Sequence, residues 1–230
     1  MKTFVIATRN AHKVGEIRAI LGGDFQFLTL NDFPGAPAVV EDADTFAGNA
    51  TKKSVELAVW IASRPAPRAP LWVLADDSGL EVDALNGAPG VHSARFAAVD
   101  HLKDGNTPDA DNNAKLLRLL RDVPAGRRTA RFRCVIALTP VEPEPVAGSS
   151  PVCSAVDDPA TLLFDGACEG RIDFGPSGQG GFGYDPLFIP NGFEQSFAEL
   201  GEATKNQLSH RAQALGKLQA WLRTQSASTP

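Results

Sequence analysis

The sequence predicts an α/β fold, because short apolar runs typical of strands alternate with segments of helical periodicity. Residues 3–7 form a β-branched and aromatic run, and residues 71–75 form a second apolar run that is bounded by turn residues. Between them, residues 46–62 repeat apolar side chains at the spacing of an amphipathic helix. The length of 230 residues suits one sizeable domain or two tightly joined lobes.

The composition is that of an ordinary globular protein, with 43% hydrophobic and 21% charged residues. A net charge of −5 argues against broad electrostatic binding to nucleic acid. The three cysteines, Cys134, Cys153 and Cys168, form no C-x-x-C pair, which argues against a disulfide framework or a zinc site. No stretch has the length of a membrane span, and the first apolar run is too short for a signal peptide. We therefore expect a cytoplasmic protein that binds neither membrane nor nucleic acid.

A polar turn follows the first strand and leads into a helix over residues 14–21, which Gly22 ends. The N–H groups at a helix N-terminus form a natural phosphate site, to which Thr8, Asn10 and Lys13 add donors. Simple N-capping by Thr8 or Asn10 explains the same residues. The local sequence leaves both interpretations open.

The helix over residues 46–62 has Thr45 as its predicted N-cap and follows an acidic loop, residues 41–44. Beyond it, the apolar run 71–75 ends in Asp76 and Asp77. Carboxylates at the end of such a strand lie where α/β proteins bind ligands, and a pair of them suits Mg²⁺. A capped turn is an equally good explanation of these residues.

The second half of the chain predicts another helix, with Asp111 as its N-cap, and strands over residues 129–138 and 161–172. Within the first of these strands, Cys134 is expected in the core and not as a nucleophile. Residues 139–159 form a Pro/Ser-rich insertion, and residues 225–230 a frayed tail.

Four glycines among residues 178–183 allow the backbone to approach a ligand closely. In the same segment, Phe182 and Tyr184 offer a stacking surface for a base, and Asp185 an acceptor for its edge. A glycine-rich turn without a ligand fits the local sequence equally well.

A last helix is predicted from Ser209, its candidate N-cap, with a buried leucine stripe beyond it. Lys205, His210 and Arg211 would then stand unopposed at a positive helix end, where cations are unfavourable. A bound anion or an electron-rich purine edge explains that placement.

Taken together, five separated segments resemble the inosine triphosphate pyrophosphatase family, the non-canonical purine nucleoside triphosphate pyrophosphatases. They occur in the family's order and cover most of the chain apart from residues 139–159. The segments are Ala7-Thr8-Arg9-Asn10-x-x-Lys13, Thr45-Phe46-x-x-Asn49-Ala50-x-x-Lys53, Asp76-Asp77-Ser78-Gly79-Leu80 with the loop to Arg95, Gly181-Phe182-Gly183-Tyr184-Asp185-Pro186, and Lys205-Asn206 with Ser209-His210-Arg211.

The resemblance implies a single ITPase-like domain over residues 1–230. Its expected fold is elongated and two-lobed, with a long mixed β-sheet flanked by helices and a nucleotide cleft between the lobes. Members of the family are typically homodimers that require Mg²⁺. They hydrolyse ITP, dITP and XTP to the monophosphate and pyrophosphate, which removes deaminated purines from the nucleotide pool.

Carried over position by position, the resemblance makes Asp77 the catalytic residue and, with Glu41, a metal ligand, while Ser78 lies beside the substrate. The residues implied for the triphosphate are Thr8, Arg9, Asn10, Ala11, His12, Lys13 and Lys53. Those implied for the base are Phe182, Gly183, Tyr184, Asp185, Lys205, His210 and Arg211.

The chain departs from the family pattern at three places. Gly48 replaces a common Glu, Arg9 replaces a common Gly, and the loop beginning at Glu41 reads Glu-Asp-Ala-Asp where Glu-Thr-Gly is usual. Gly48 is the feature that points to an alternative, a nucleotide-binding protein that has lost turnover. A pyrophosphatase for modified pyrimidine nucleotides is a second alternative, against which the 182–185 and 209–211 segments argue.

Overall fold

The structure, a computed structural model, describes residues 2–64, 71–101, 105–141 and 161–227. Most of the predicted insertion at 139–159 and the end of the predicted tail lie outside the described residues. Residues 139 and 140 of the predicted insertion are the last residues of a strand, and residues 225–227 of the predicted tail are the last residues of a helix. In the described part of the chain, no helix combines the length and apolarity needed to cross a membrane.

Six strands form one mixed sheet, which confirms the α/β prediction. Their order across the sheet is β2-β1-β3-β4-β5-β6. Strand β1 pairs in parallel with β2 and β3, whereas β5 and β6 pair antiparallel. The strands are β1 (Thr3–Ile6), β2 (Gln26–Thr29), β3 (Leu71–Val82), β4 (Thr129–Pro140), β5 (Leu162–Ile172) and β6 (Phe188–Pro190).

Four of the five α-helices that the structure describes follow predicted segments, whereas the helix over Phe197–Leu208 was not predicted. Thr45 caps the second of them, because its hydroxyl accepts from the Gly48 N–H at 3.0 Å. The prediction that Asp111 caps the third is wrong, since that helix begins at Asp109 after Pro108, and Asp111 lies in its first turn. The α-helices are α1 (Ala11–Leu21), α2 (Phe46–Ala62), α3 (Asp109–Leu119), α4 (Phe197–Leu208) and α5 (His210–Ala227).

Strand β3 corrects the prediction that the apolar run ends at the two carboxylates. The strand continues through Asp76 and Asp77 to Val82, so both acids lie inside it and are buried. Aspartate is depleted in strands, and a buried carboxylate without a partner is costly. The residues described below supply partners for both acids.

The chain divides into two compact units, each built from segments that are distant in sequence. The first unit comprises Met1–Asp77, Val135–Asp165 and Ala214–Pro230, and the second comprises Ser78–Cys134 and Gly166–Gln213. Each unit has its own core. That of the first packs α2 against β1 and β3, through Val5, Leu57, Ala58, Ile61 and Val73. That of the second includes Leu80, Leu116, Phe132, Phe188 and Phe197.

Candidate functional site

In the first unit, the two aspartates of β3 face different partners, because consecutive side chains of a strand point to opposite faces. The Asp76 carboxylate forms an ion pair with Lys13 of α1. The Asp77 carboxylate faces α2, where it contacts Lys53 and Asn49. The Asp77 carboxylate therefore contacts two residues of α2 directly.

Lys53 connects the carboxylates on this side. Its ammonium lies 3.1 Å from Asp77 Oδ1, 3.0 Å from Glu41 Oε2 and 2.8 Å from the Asp76 carbonyl oxygen. The side chain is buried, so these charge-assisted contacts are shielded from water. The structure thus brings together three residues that the sequence placed far apart: Glu41, Lys53 and Asp77.

Asn49 is a member of this cluster that the predicted site residues did not include. Its amide nitrogen donates to Asp77 Oδ2 at 3.3 Å, and its oxygen accepts from the Ala43 N–H at 2.9 Å. It is fully buried and lies four residues before Lys53, on the same face of α2. A polar residue on the apolar face of a predicted helix was the signal that could have identified it.

Burial and charge shift the pKa values of the cluster in different directions. Burial raises the pKa of Asp77 to about 6, against the opposing effect of the Lys53 and Lys13 charges. Burial also raises the pKa of Glu41, but the charge and hydrogen bond of Lys53 outweigh it, so that pKa lies below its usual range. For Lys53 the neighbouring carboxylates outweigh burial and raise the pKa, which keeps the ammonium charged.

The donor set fits a magnesium ion. The described residues contain no group of three or more His, Cys, Asp or Glu side chains suited to a metal. Glu41 and Asp77 nevertheless bind the same ammonium, so their carboxylates lie close together. Mg²⁺ takes one or two carboxylates and completes its shell with water and phosphate, so a pair of acids suffices. With two carboxylates and one ammonium, the cluster carries one net negative charge, which also favours a cation.

The turn before α1 confirms the capping interpretation. Asn10 Oδ1 accepts from the N–H groups of His12 at 3.0 Å and Lys13 at 3.2 Å, while Thr8 Oγ1 accepts from the Asn10 N–H. Arg9 is exposed and donates to the Ala36 carbonyl oxygen at 3.3 Å. Capping does not contradict the predicted phosphate role, since residues 9–12 are accessible to a ligand.

A second cluster lies in the second unit, around the loop that carries Phe182. Asp185 Oδ2 accepts from Lys205 Nζ at 2.6 Å and from the Phe182 N–H at 2.8 Å. The Lys205 ammonium lies 4.3 Å from the centre of the Phe182 ring, within the range of a cation–π contact.

The prediction that Lys205 stands unopposed at a positive helix end is wrong. It pairs with Asp185 and lies in the last turn of α4, the end of a helix that favours cations. The break between α4 and α5 at Ser209 explains the difference. Ser209 ends α4 and accepts from the Ala212 N–H in α5, which confirms it as the predicted cap.

His210 and Arg211 occupy the first turn of α5 and are almost completely buried. The His210 ring stacks on Phe132, with centres 4.8 Å apart and an interplanar angle of 14°. Arg211 donates to Ser78 Oγ at 2.9 Å. The structure therefore places Ser78, the residue after Asp77, in contact with the cationic segment of α5.

Tyr184 departs from its predicted role as a stacking surface. Its side chain lies in the core of the second unit, and its hydroxyl donates to the Ser93 carbonyl oxygen at 2.9 Å. Burial raises the pKa of this hydroxyl far above its usual range, so it stays protonated. Within the segment, Phe182 is the aromatic residue that remains partly accessible.

Comparison with known proteins shows what the whole chain is similar to. The model of the Ham1 family matches residues 4–221. A protein of Exiguobacterium sibiricum, named a dITP/XTP pyrophosphatase, is 45% identical over 221 residues, which cover 96% of each chain. One of Desulforamulus reducens with the same name is 46% identical and covers 93% of this chain and 92% of its own.

Solved structures show the same fold. A HAM1 protein from Coxiella burnetii superposes with a TM-score of 0.76 at 35% identity, covering 97% of this chain and 100% of the other. A nucleoside-triphosphatase, also named a dITP/XTP pyrophosphatase, from Mycobacterium abscessus gives a TM-score of 0.67 at 35% identity, covering 94% and 98% of the two chains.

Proposed function

The chain belongs to the Ham1 family, and we propose that it hydrolyses dITP, XTP and ITP to the nucleoside monophosphate and pyrophosphate. The observation that supports this most is the cluster of Glu41, Lys53 and Asp77, in which a buried and a partly exposed carboxylate are held on one ammonium. The names of the relatives support the reaction class and two of the three substrates. Such an activity removes deaminated purines from the nucleotide pool.

Lys13 and Lys53 bind the triphosphate in this proposal. Both are paired with carboxylates in the structure, and phosphate oxygens are alternative partners for the same ammonium groups. The accessible turn from Thr8 to His12 adds further donors. As pyrophosphate leaves, the two lysines neutralise the charge that develops on its oxygens.

Glu41 and Asp77 would hold Mg²⁺, which when bound supplies charge neutralisation on the phosphates and lowers the pKa of a coordinated water. Asp77 accepts the proton of the attacking water. In the metal-free protein, burial raises the pKa of Asp77 to about 6, so this carboxylate is a stronger base than an exposed aspartate. Asn49 and Lys53 hold the carboxylate in place from the α2 side.

The second unit selects the base. Lys205, His210 and Arg211 offer hydrogen-bond donors, which suit the 6-oxo group of hypoxanthine and xanthine. Adenine carries a 6-amino donor at that position, so it offers these groups no acceptor. A hydrogen bond from a charged donor contributes ~1.5–3 kcal/mol, and its loss would disfavour adenine. Phe182 provides the stacking surface.

The proposed setting is a homodimer in the cytoplasm. A dITP or XTP pyrophosphatase acts where nucleotides are made and used. The two cysteines that the structure describes, Cys134 and Cys168, are free and buried, as expected of a reducing compartment. Light scattering of the purified protein tests the dimer.

A substrate panel tests the function. Purified protein is assayed with dITP, XTP, ITP, dATP and dGTP, with pyrophosphate and orthophosphate measured separately, in Mg²⁺ and in EDTA. We expect pyrophosphate release from the three deaminated substrates, at rates far above those for dATP, and loss of turnover in EDTA. Equal rates for all purines would refute the proposed base selection, and orthophosphate as the product would refute the reaction.

A further inference from the structure

We propose that Asp109 and Asn113 of α3 are positioning residues that fix Phe182 by clamping Gly183 from both sides of its backbone. Asp109 Oδ2 accepts from the Gly183 N–H at 2.6 Å. Asn113 Nδ2 donates to the Gly183 carbonyl oxygen at 3.0 Å. Both polar groups of one loop residue are therefore bonded to side chains of a single helix.

The spacing of the two residues suits this role. Positions i and i+4 lie on the same face of a helix, so Asp109 and Asn113 present one acceptor and one donor together. The helix is itself well anchored: Asn112 Oδ1 accepts from the Ala97 N–H at 2.8 Å, and Leu116 lies in the core. The clamp thus transfers the rigidity of a packed helix to the loop.

The loop needs such a restraint because of its backbone. Phe182 lies between Gly181 and Gly183, both of which have positive φ values, 76° and 63°. Glycine loses more conformational freedom on folding than any other residue, so a segment with two of them requires external contacts to hold one conformation. At Gly181 a Cβ would lie 2.3 Å from Asp185 Oδ2, so the loop is also packed closely on that side.

The clamp and the lysine restrain Phe182 from two directions. Asp185 binds the Phe182 N–H and Lys205, and the Lys205 ammonium lies on the ring. The clamp holds the following residue to α3. This inference rests on the proposed function, in which Phe182 stacks on the base. The clamp then sets the geometry of that stacking. Its loss should therefore weaken substrate binding and leave the chemical step, which uses Asp77, largely unchanged.

The variants are Asp109→Ala, Asn113→Ala and the double replacement, with Asp111→Ala as the matched control. Asp111 lies in the same helical turn, so its replacement removes the same charge without touching Gly183. We expect KM for dITP to rise about 5- to 10-fold in each single variant, with kcat within about two-fold of wild type, as the loss of one hydrogen bond implies. Asp109→Asn keeps an acceptor oxygen and should restore most of the affinity.

Hydrogen exchange of the Gly183 amide, measured by NMR, provides a readout that does not depend on turnover. It should accelerate in Asp109→Ala and stay at the wild-type rate in Asp111→Ala. Faster exchange with an unchanged KM would overturn the positioning role, as would unchanged exchange. Failure of the wild type to cleave dITP would refute the proposed function instead, and the exchange result would then report on the clamp alone.

Discussion

Asp76 and Asp77 are neighbours in one strand, yet their surroundings give them different chemistry. The Asp76 side chain is fully buried and neutralises Lys13. Asp77 shares Lys53 with Glu41 and carries the raised pKa. Asp77 has a second carboxylate, Glu41, on the same ammonium and a raised pKa, so we propose it as the group that accepts the proton.

Replacement of Asp77 by Asn should lower kcat for dITP by about 10²–10⁴-fold, because the amide keeps the size of the side chain but cannot accept the proton. Pyrophosphate release measures the loss, and circular dichroism checks that the fold persists. Asp44→Asn is the control, because it alters an exposed acid in the loop before α2. Near-normal turnover of Asp77→Asn would exclude this residue as the base.

The raised pKa of Asp77 also predicts a pH dependence of stability in metal-free protein. Between pH about 4 and 6 the folded state binds a proton that the unfolded state releases, so the free energy of unfolding falls as pH rises through this window. The contribution is up to roughly 3 kcal/mol. Asp77→Asn lacks it. Urea unfolding of both proteins at pH 4 and pH 7 measures the difference between their free energies of unfolding. A difference that does not change with pH would contradict the prediction.

At the scale of elements, two departures from the family pattern meet at the start of α2. A Cβ at Gly48 would lie 2.8 Å from the Ala43 Cβ and 3.1 Å from Thr45 Oγ1. Ala43 stands where the family usually has glycine, so its methyl group occupies the space beside residue 48. Ala43 of the loop thus fills the space that a larger residue at position 48 would need. The cluster of Glu41, Lys53 and Asp77 forms with this packing in place.

This packing predicts that Gly48→Ala destabilises the protein by ~1–3 kcal/mol, because overpacking outweighs the gain in helix propensity of about 1 kcal/mol. In an Ala43→Gly background the same replacement should be neutral or stabilising. Chemical denaturation of the four proteins in this cycle gives the coupling free energy. Additive effects would show that residues 43 and 48 do not compete for space.

At the scale of the whole molecule, the charge distribution predicts specificity for small ligands. The net charge is −5, and two of the lysines proposed to bind substrate are paired with acids, Lys13 with Asp76 and Lys205 with Asp185. The net negative charge and the pairing of these lysines disfavour broad electrostatic attraction of a polyanion. We expect no binding of labelled duplex DNA by fluorescence anisotropy at physiological salt. Salt-dependent binding in the micromolar range would contradict this.

The sequence by itself determined the α/β class, the bounds of α2 and the five segments that resemble the family. Hydrophobic periodicity and capping residues are local signals, so α2, with its Thr45 cap, could be predicted to the residue. The tertiary structure alone decided that β3 runs through Asp76 and Asp77, because that depends on ion pairs with Lys13 and Lys53 from other elements.

The same holds for Lys205, whose partner Asp185 lies 20 residues away, and for Tyr184, which packs in the core. It holds also for Asn49, Asp109 and Asn113, whose partners lie on other segments of the chain. Local sequence shows which side chains have the chemistry for a site. Only the fold decides which of them are already bonded to each other, because those contacts join residues that the chain keeps far apart.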